Sequence, residues 1–221
     1  MTDCRKYKIE TVRKNINFKD IPVMSVNIKY PVFEAGTDSK NEQGFVSKIN
    51  RFYADSAEKY LSYLNGKYVK KIASMYERNG SVRTAFVMNC TVTYCSSDYI
   101  SVFADISSFD GKNTKTHRFS QLWSAQKSAI LPPSKVFSTD ARTKRYIKQT
   151  IMEIAEKNLG KRDFSYFDNY KSIIEKRLDP ANFYIVPNGI AFFYDKGMLS
   201  ASSQVCVFVM SKEDLPLKID F

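Results

Sequence analysis

Two residue types are almost missing from this sequence. Its 221 residues hold one histidine, His117, and one tryptophan, Trp123. With a single histidine, any Ser-His-Asp or Cys-His relay has to run through His117, whose neighbours Thr116 and Arg118 form no nucleophile motif. The four cysteines, Cys4, Cys90, Cys95 and Cys206, include no CxxC pair, so a zinc site of the usual spacing is excluded. Cys90 and Cys95 are five apart on one extended stretch and point to opposite faces, which bars a bridge between them. They read as small core residues of a reduced protein. No apolar run approaches the ~20 residues of a membrane helix, and the first residues have no apolar leader. A cytoplasmic location is the expectation if the chain is complete. Missing too are a G-x-S-x-G elbow, a P-loop and a G-x-G-x-x-G turn. No cofactor is expected.

What the chain does have is positive charge: 34 Lys and Arg against 23 Asp and Glu, a formal +11. Stretches 1–33, 34–79, 80–137, 138–180 and 181–221 carry excesses of +4, +2, +3, +3 and −1. A nucleic-acid arm concentrates its bases in one block, and here they are spread. The densest group, Arg142, Lys144, Arg145 and Lys148, reads first as a solvated helix face. Phe164, Tyr166, Phe167 and Tyr170, between Lys161-Arg162 and Lys171, have the composition of a base-stacking platform. The same spacing suits a packed helix face, and that core reading is preferred.

Patterning gives the architecture. Val26, Ile28, Tyr30 and Val32 alternate as a half-buried strand, with Pro31 expected at an edge or bulge. Val46, Ile49, Tyr53, Ala57, Tyr60, Leu61 and Leu64 form one helical stripe, which Asn65-Gly66 interrupts, and Asn79-Gly80 is a turn. Val82–Tyr94, Tyr99–Phe109 and His117–Ala125 read as successive strands, with Asp110-Gly111 turning between the last two. Leu131-Pro132-Pro133 stops the third. Ser138-Thr139-Asp140 supplies N-cap chemistry for a helix with Ile147, Ile151, Ile154, Ala155 and Leu159 inward and Gly160 as its C′ residue. A second helix runs from about Tyr166 to Leu178. A hairpin follows, Phe183–Val186 and Ile190–Tyr194 about Pro187-Asn188-Gly189, then a last strand from Val205 to Met210. Helices segregated from runs of strands predict an α+β fold with largely antiparallel sheets and packed helices. The expected division is a basic lead over 1–19 and two closely associated subdomains, 20–97 and 98–221.

Tyr30-Pro31, Ile49-Asn50 opening a long helix, a glycine turn between strands, Phe137 before a helix, Asn182-Phe183-Tyr184, Asn188-Gly189 and Tyr194 follow one another in an order that resembles the family called domain of unknown function 3298 (DUF3298). That module forms the extracytoplasmic part of RsiV-type anti-sigma factors and accompanies some peptidoglycan deacetylase domains. The resemblance covers about residues 20 to 215 and implies a two-subdomain α+β fold, with lysozyme sensed as a protein ligand in some members; it does not imply an enzyme. Where the family often has a Gly-Gly-Ala-His-like turn, this chain reads Ser107-Ser-Phe-Asp-Gly-Lys-Asn113, and His117 lies later. Ser203-Gln204 stands where a glycine tends to precede the last strand. Both departures point to altered loops.

The leading expectation is therefore a sensing or interaction module whose loops near 107–117 and 195–204 receive a protein or cell-wall-related ligand. Its candidate binding residues are Asp110, Gly111, His117, Trp123 and Lys196, with no catalytic residue assigned. A basic nucleic-acid-binding protein is the alternative, and a hydrolase without a recognisable motif a weaker one. The plain reading of His117 is a structural or solvent-facing strand residue. Trp123 either packs between helix and sheet or anchors an interface. Oligomeric state is left open.

Overall fold

Lys19 and Asp20 hold φ of 49° and 65° in the computed structural model, which describes residues 5–36, 39–80, 83–159, 161, 165–201 and 204–221. Two successive residues at positive φ make the tight turn whose twist matches paired strands. They join β1 (Tyr7–Phe18) to β2 (Ile21–Phe33), in register from Tyr7↔Phe33 to Phe18↔Ile21 with one shift between Ile16 and Asn17. β1 thus occupies most of the stretch read from sequence only as a basic lead.

β2 then pairs in parallel with β3 (Thr84–Cys95), Met24↔Thr84 through Lys29↔Asn89. A parallel neighbour requires a crossover, and the helices between them supply it. α1 (Lys40–Tyr63) buries Val46, Ile49, Tyr53 and Ala57 of the periodic stripe together with Phe45, while Tyr60 and Leu61 of the stripe are half-buried. A π-helical turn, Leu64–Tyr68, falls where Asn65-Gly66 interrupts that stripe, and α2 (Val69–Asn79) continues from it. Gly80, at φ 70°, ends α2 in the left-handed conformation of a C′ glycine.

β4 (Tyr99–Phe109), β5 (Thr114–Ser124) and β6 (Ala129–Ile130) complete a sheet whose strand order is β1-β2-β3-β4-β5-β6. α3 (Pro133–Val136), α4 (Ala141–Asn158) and α5 (Tyr170–Arg177) precede a second, antiparallel sheet of β7 (Phe183–Val186), β8 (Gly189–Tyr194) and β9 (Cys206–Ser211). The α+β class with largely antiparallel sheets is the observed one.

The chain divides into two compact units. One comprises the described residues up to Thr91 with Ala104–His117, and the other Val92–Phe103 and the described residues from Arg118 to Phe221. In the first, the helix-facing residues Val26, Ile28 and Tyr30 of β2 and Phe86 and Met88 of β3 are buried, as are Val46, Ile49, Tyr53 and Ala57 of α1. Asn50 fastens the end of β2 to this helix: its side chain donates to the Phe33 carbonyl and accepts from the Phe33 amide, both at 2.9 Å. One amide side chain thus satisfies both polar groups of a strand residue.

In the second unit, Ile147, Ile151 and Ala155 of α4, Ile174 of α5 and Phe192, Phe208 and Met210 of the second sheet form one core with Phe137. Phe137 packs edge-on against Phe183 and Phe192, with ring centres 5.3 and 5.6 Å away. Of the expected Ser138-Thr139-Asp140 run, Asp140 is the residue that caps α4, accepting from the Thr143 amide at 2.7 Å. Leu159, expected to face inward, is the C-cap and is 48% exposed, because the helix stops before it completes the stripe. Gly160, the expected C′ residue, lies outside the described residues, as do Cys4, Val82, Arg162, Phe164 and Ser203. Tyr166 packs against Tyr170 and Phe208, so this part of the aromatic cluster is core, whereas Phe167 is exposed and, like Tyr166, precedes α5 instead of lying on it.

Candidate functional site

The turn between β4 and β5 is shaped by Asp110. Its carboxylate accepts from the amides of Lys112 and Asn113 at 3.0 and 2.9 Å, which closes the loop. Gly111 takes φ 98°, a conformation that side chains resist. These two hydrogen bonds, together with the charges of Lys115 and Lys71, hold the Asp110 carboxyl below the ordinary aspartate range.

The turn forms one wall of a cleft of about 620 Å³, lined by Phe109, Asp110, Gly111 and Lys112 from this side. Met75 and Asn79, on the last turns of α2, and Arg83 line the rest. The walls combine two apolar side chains, Met75 and Phe109, with Arg83 and Lys112, which only donate, and Asn79, whose carboxamide donates and accepts. The one carboxylate among them, Asp110, already accepts two amides. The cleft therefore offers hydrogen-bond donors and positive charge beside apolar side chains, a surface suited to a carboxylate or another acceptor-rich group.

Of the five residues singled out from sequence, the structure brings Asp110 and Gly111 into this cleft. His117 is exposed near the middle of β5 and does not line it. Trp123 is buried in β5 at 3% exposure, so of the two readings it takes the packing one. Lys196 is half-buried in the turn after β8. Met75, Asn79, Arg83 and Lys112 were not singled out. Lys112 and Asn79 sit inside the two glycine turns that were read correctly, and that adjacency was the available signal. Nothing in one-dimensional spacing brings α2 to the β4–β5 turn.

Other shifted groups have structural causes. Burial raises the Cys90 thiol to about 12 and pushes the Tyr194 phenol up as well. The carboxyl of Asp140 is lowered by Ser138 and by the Thr143 amide that it caps. Among the described residues no three or more His, Cys, Asp or Glu gather where a metal ion would sit. No described helix is long and apolar enough to cross a membrane.

No family model matches the chain, and neither does any curated protein. Solved structures do match. A DUF3298 family member from Bacteroides fragilis superposes with a TM-score of 0.60 at 12% identity, covering 96% of this chain and 92% of that one. A DUF3298 family protein from Pseudomonas aeruginosa gives 0.61 at 9% identity, covering 96% and 93%. This chain is similar to both over nearly its whole length, and the shared property is the fold. The residues that carry the sequence resemblance are framework: Tyr30, Ile49, Phe137, Tyr184 and Tyr194 are buried, and Asn50 holds a strand end.

Proposed function

We propose that this chain is a non-enzymatic binding module, of the sensing or interaction kind implied by the resemblance to RsiV-type domains, and that the α2 cleft receives its ligand. One observation carries the reading. The one carboxylate among the lining residues, Asp110, already accepts two backbone amides at Oδ1, and the other polar side chains there, Asn79, Arg83 and Lys112, can donate. Such a wall binds an acceptor-rich group without presenting an activated nucleophile or a tuned acid–base pair. A carboxylate-bearing ligand, a cell-wall peptide or an acidic patch on a protein, fits the donors and the charge.

Calorimetric titration with muramyl dipeptide and, separately, with lysozyme tests this reading. Saturable binding of either is expected, and the Arg83→Glu/Lys112→Glu variant should weaken it by about tenfold or more. Absence of saturable binding up to about millimolar ligand, or binding indifferent to the double reversal, overturns it. A single-stranded oligonucleotide serves as the third titrant. Tight, steeply salt-dependent binding of that probe alone would replace the reading with the nucleic-acid one.

A further inference from the structure

β1 is the outermost strand of the larger sheet. β2 lies on one side of it, and among the described residues no strand lies on the other. Just outside the first pair, Tyr7↔Phe33, the Lys6 carbonyl accepts from the Glu34 amide at 2.9 Å. In an antiparallel ladder this makes Tyr7↔Phe33 a pair whose own main-chain groups point away from each other. Alternation then aims the N–H and C=O groups of Lys8, Glu10, Val12 and Lys14 into β2. Those of Tyr7, Ile9, Thr11, Arg13 and Asn15 point outward from the sheet. The same alternation explains Pro31, paired with Ile9: its missing donor faces away from β1, beyond Lys29↔Asn89 where the pairing with β3 ends.

Open edges are commonly blunted by shortness, proline or bulges. β1 runs 12 residues, contains no proline, and has its single register shift only at Ile16/Asn17. The remaining device is charge. Arg5 is engaged by Glu42 at 3.2 Å and Lys19 by Glu77 at 3.4 Å. Lys6, Lys8, Arg13 and Lys14 then stand exposed along the edge against one acid, Glu10. A second copy pairing antiparallel about Thr11 would set Lys8 against Lys14, which like charges disfavour. An acidic strand meets the opposite situation.

We propose that the β1 edge is a docking site for an extended acidic segment of another protein, which adds to the sheet as a strand beside Tyr7–Asn15. The mode is β-strand addition, with the outward main-chain groups supplying the ladder and Lys8, Arg13 and Lys14 the selectivity. This surface is separate from the α2 cleft, which no β1 residue lines, so either proposal can fail without the other.

The test uses the intact chain and a labelled peptide of about ten residues, the length of the open edge, alternating Glu with Val, beside its Lys–Val counterpart. Fluorescence anisotropy should show binding of the acidic peptide alone, weakening as salt rises. Amide exchange should slow at Ile9, Thr11, Arg13 and Asn15, while the amides bonded to β2 are protected from the start. Thr11→Pro removes one outward donor without touching the β1–β2 ladder and should weaken binding by about tenfold. If that variant loses the strand, Lys8→Glu/Lys14→Glu decides, since it leaves the backbone intact and should switch preference to the Lys peptide. Equal binding of both peptides, protection elsewhere than the outward amides, or a preference unmoved by the charge reversal overturns the proposal. A concentration-dependent dimer that Thr11→Pro abolishes overturns it too, in favour of a second copy on this edge.

Discussion

The guanidinium carbon of Arg118 lies 3.8 Å from the centre of the Phe103 ring, and the rings of Tyr184 and Phe193 are each 5.8 Å away. The Arg118 amide also donates to Asp195 at 2.9 Å, so the residue ties β5 to the turn after β8 by main chain and by side chain. A planar cation stacked on an aromatic face is a geometry that lysine does not reproduce. Arg118→Lys should cost about 1 kcal/mol in urea unfolding, and the Arg118/Phe103 double-mutant cycle should return a coupling of about 0.5–2 kcal/mol. A coupling near zero would mean that the ring merely covers the charge.

Gly189 opens β8 with a constraint of a different kind. A Cβ built there would stand 1.9 Å from the Met210 carbonyl oxygen, a backbone atom of the paired strand β9. Gly189→Ala therefore has to break the β8–β9 register or splay the hairpin, and a loss above about 3 kcal/mol is expected. Gly44, inside α1, meets nothing within 4 Å. Gly44→Ala should stabilise by about 0.5–1 kcal/mol through helix propensity and a less free unfolded chain. Thermal denaturation of the pair gives shifts of opposite sign if the two glycines differ as argued.

Sequence reading reached most of this fold wherever an element had both a period and a stop. The stripe from Val46 to Leu64, the Asp140 cap and the strand from Tyr99 to Phe109 are of that kind. β1 escaped it for two physical reasons. Its turn is Lys19-Asp20, which adopts positive φ without the glycine that advertises such turns, and most of its residues are exposed, so no apolar face repeats at every second position. The Asn188-Gly189 signal was read correctly as a hairpin, yet the turn residues are Pro187 and Asn188 and the glycine serves close packing. The cleft was half legible. Asp110-Gly111 announces a turn, but its facing wall on α2 depends on tertiary placement that no local pattern encodes.

Acid should act through Asp110 and Asp140. Hydrogen bonds lower both carboxyls in the folded protein, the turn amides for Asp110 and Ser138 with the Thr143 amide for Asp140. The unfolded chain then binds more protons than the folded one between the two sets of values, so stability rises with pH there. Their contribution is present above the ordinary aspartate value of about 4 and disappears as pH falls through the lower folded values. Urea midpoints at about pH 6 and pH 3 should differ less in Asp110→Asn/Asp140→Asn than in the unchanged protein. An equal acid loss in both would assign the acid sensitivity to other groups.

Burial sets the chemistry of Cys90. Desolvation disfavours the thiolate and pushes the thiol up to about 12, and the side chain is 7% exposed. Only the thiolate attacks a disulfide reagent. At pH 8 about one part in ten thousand of Cys90 is ionised, against about a quarter of an exposed thiol. Burial raises the Cys206 thiol as well, so reaction with Ellman's reagent at pH 8 should show Cys90 as the slowest thiol, waiting for unfolding, and Cys90→Ala should remove that slowest phase while leaving the others unchanged. The same shift carries a stability consequence with its own sign. The folded value is raised, so the contribution is complete below about 8.5 and is lost as pH rises towards 12, because the unfolded chain ionises first. Alkaline unfolding should accordingly begin at higher pH in Cys90→Ala, relative to its own stability at pH 7, than in the unchanged protein. A slowest phase that survives the substitution unchanged would place the protected thiol elsewhere.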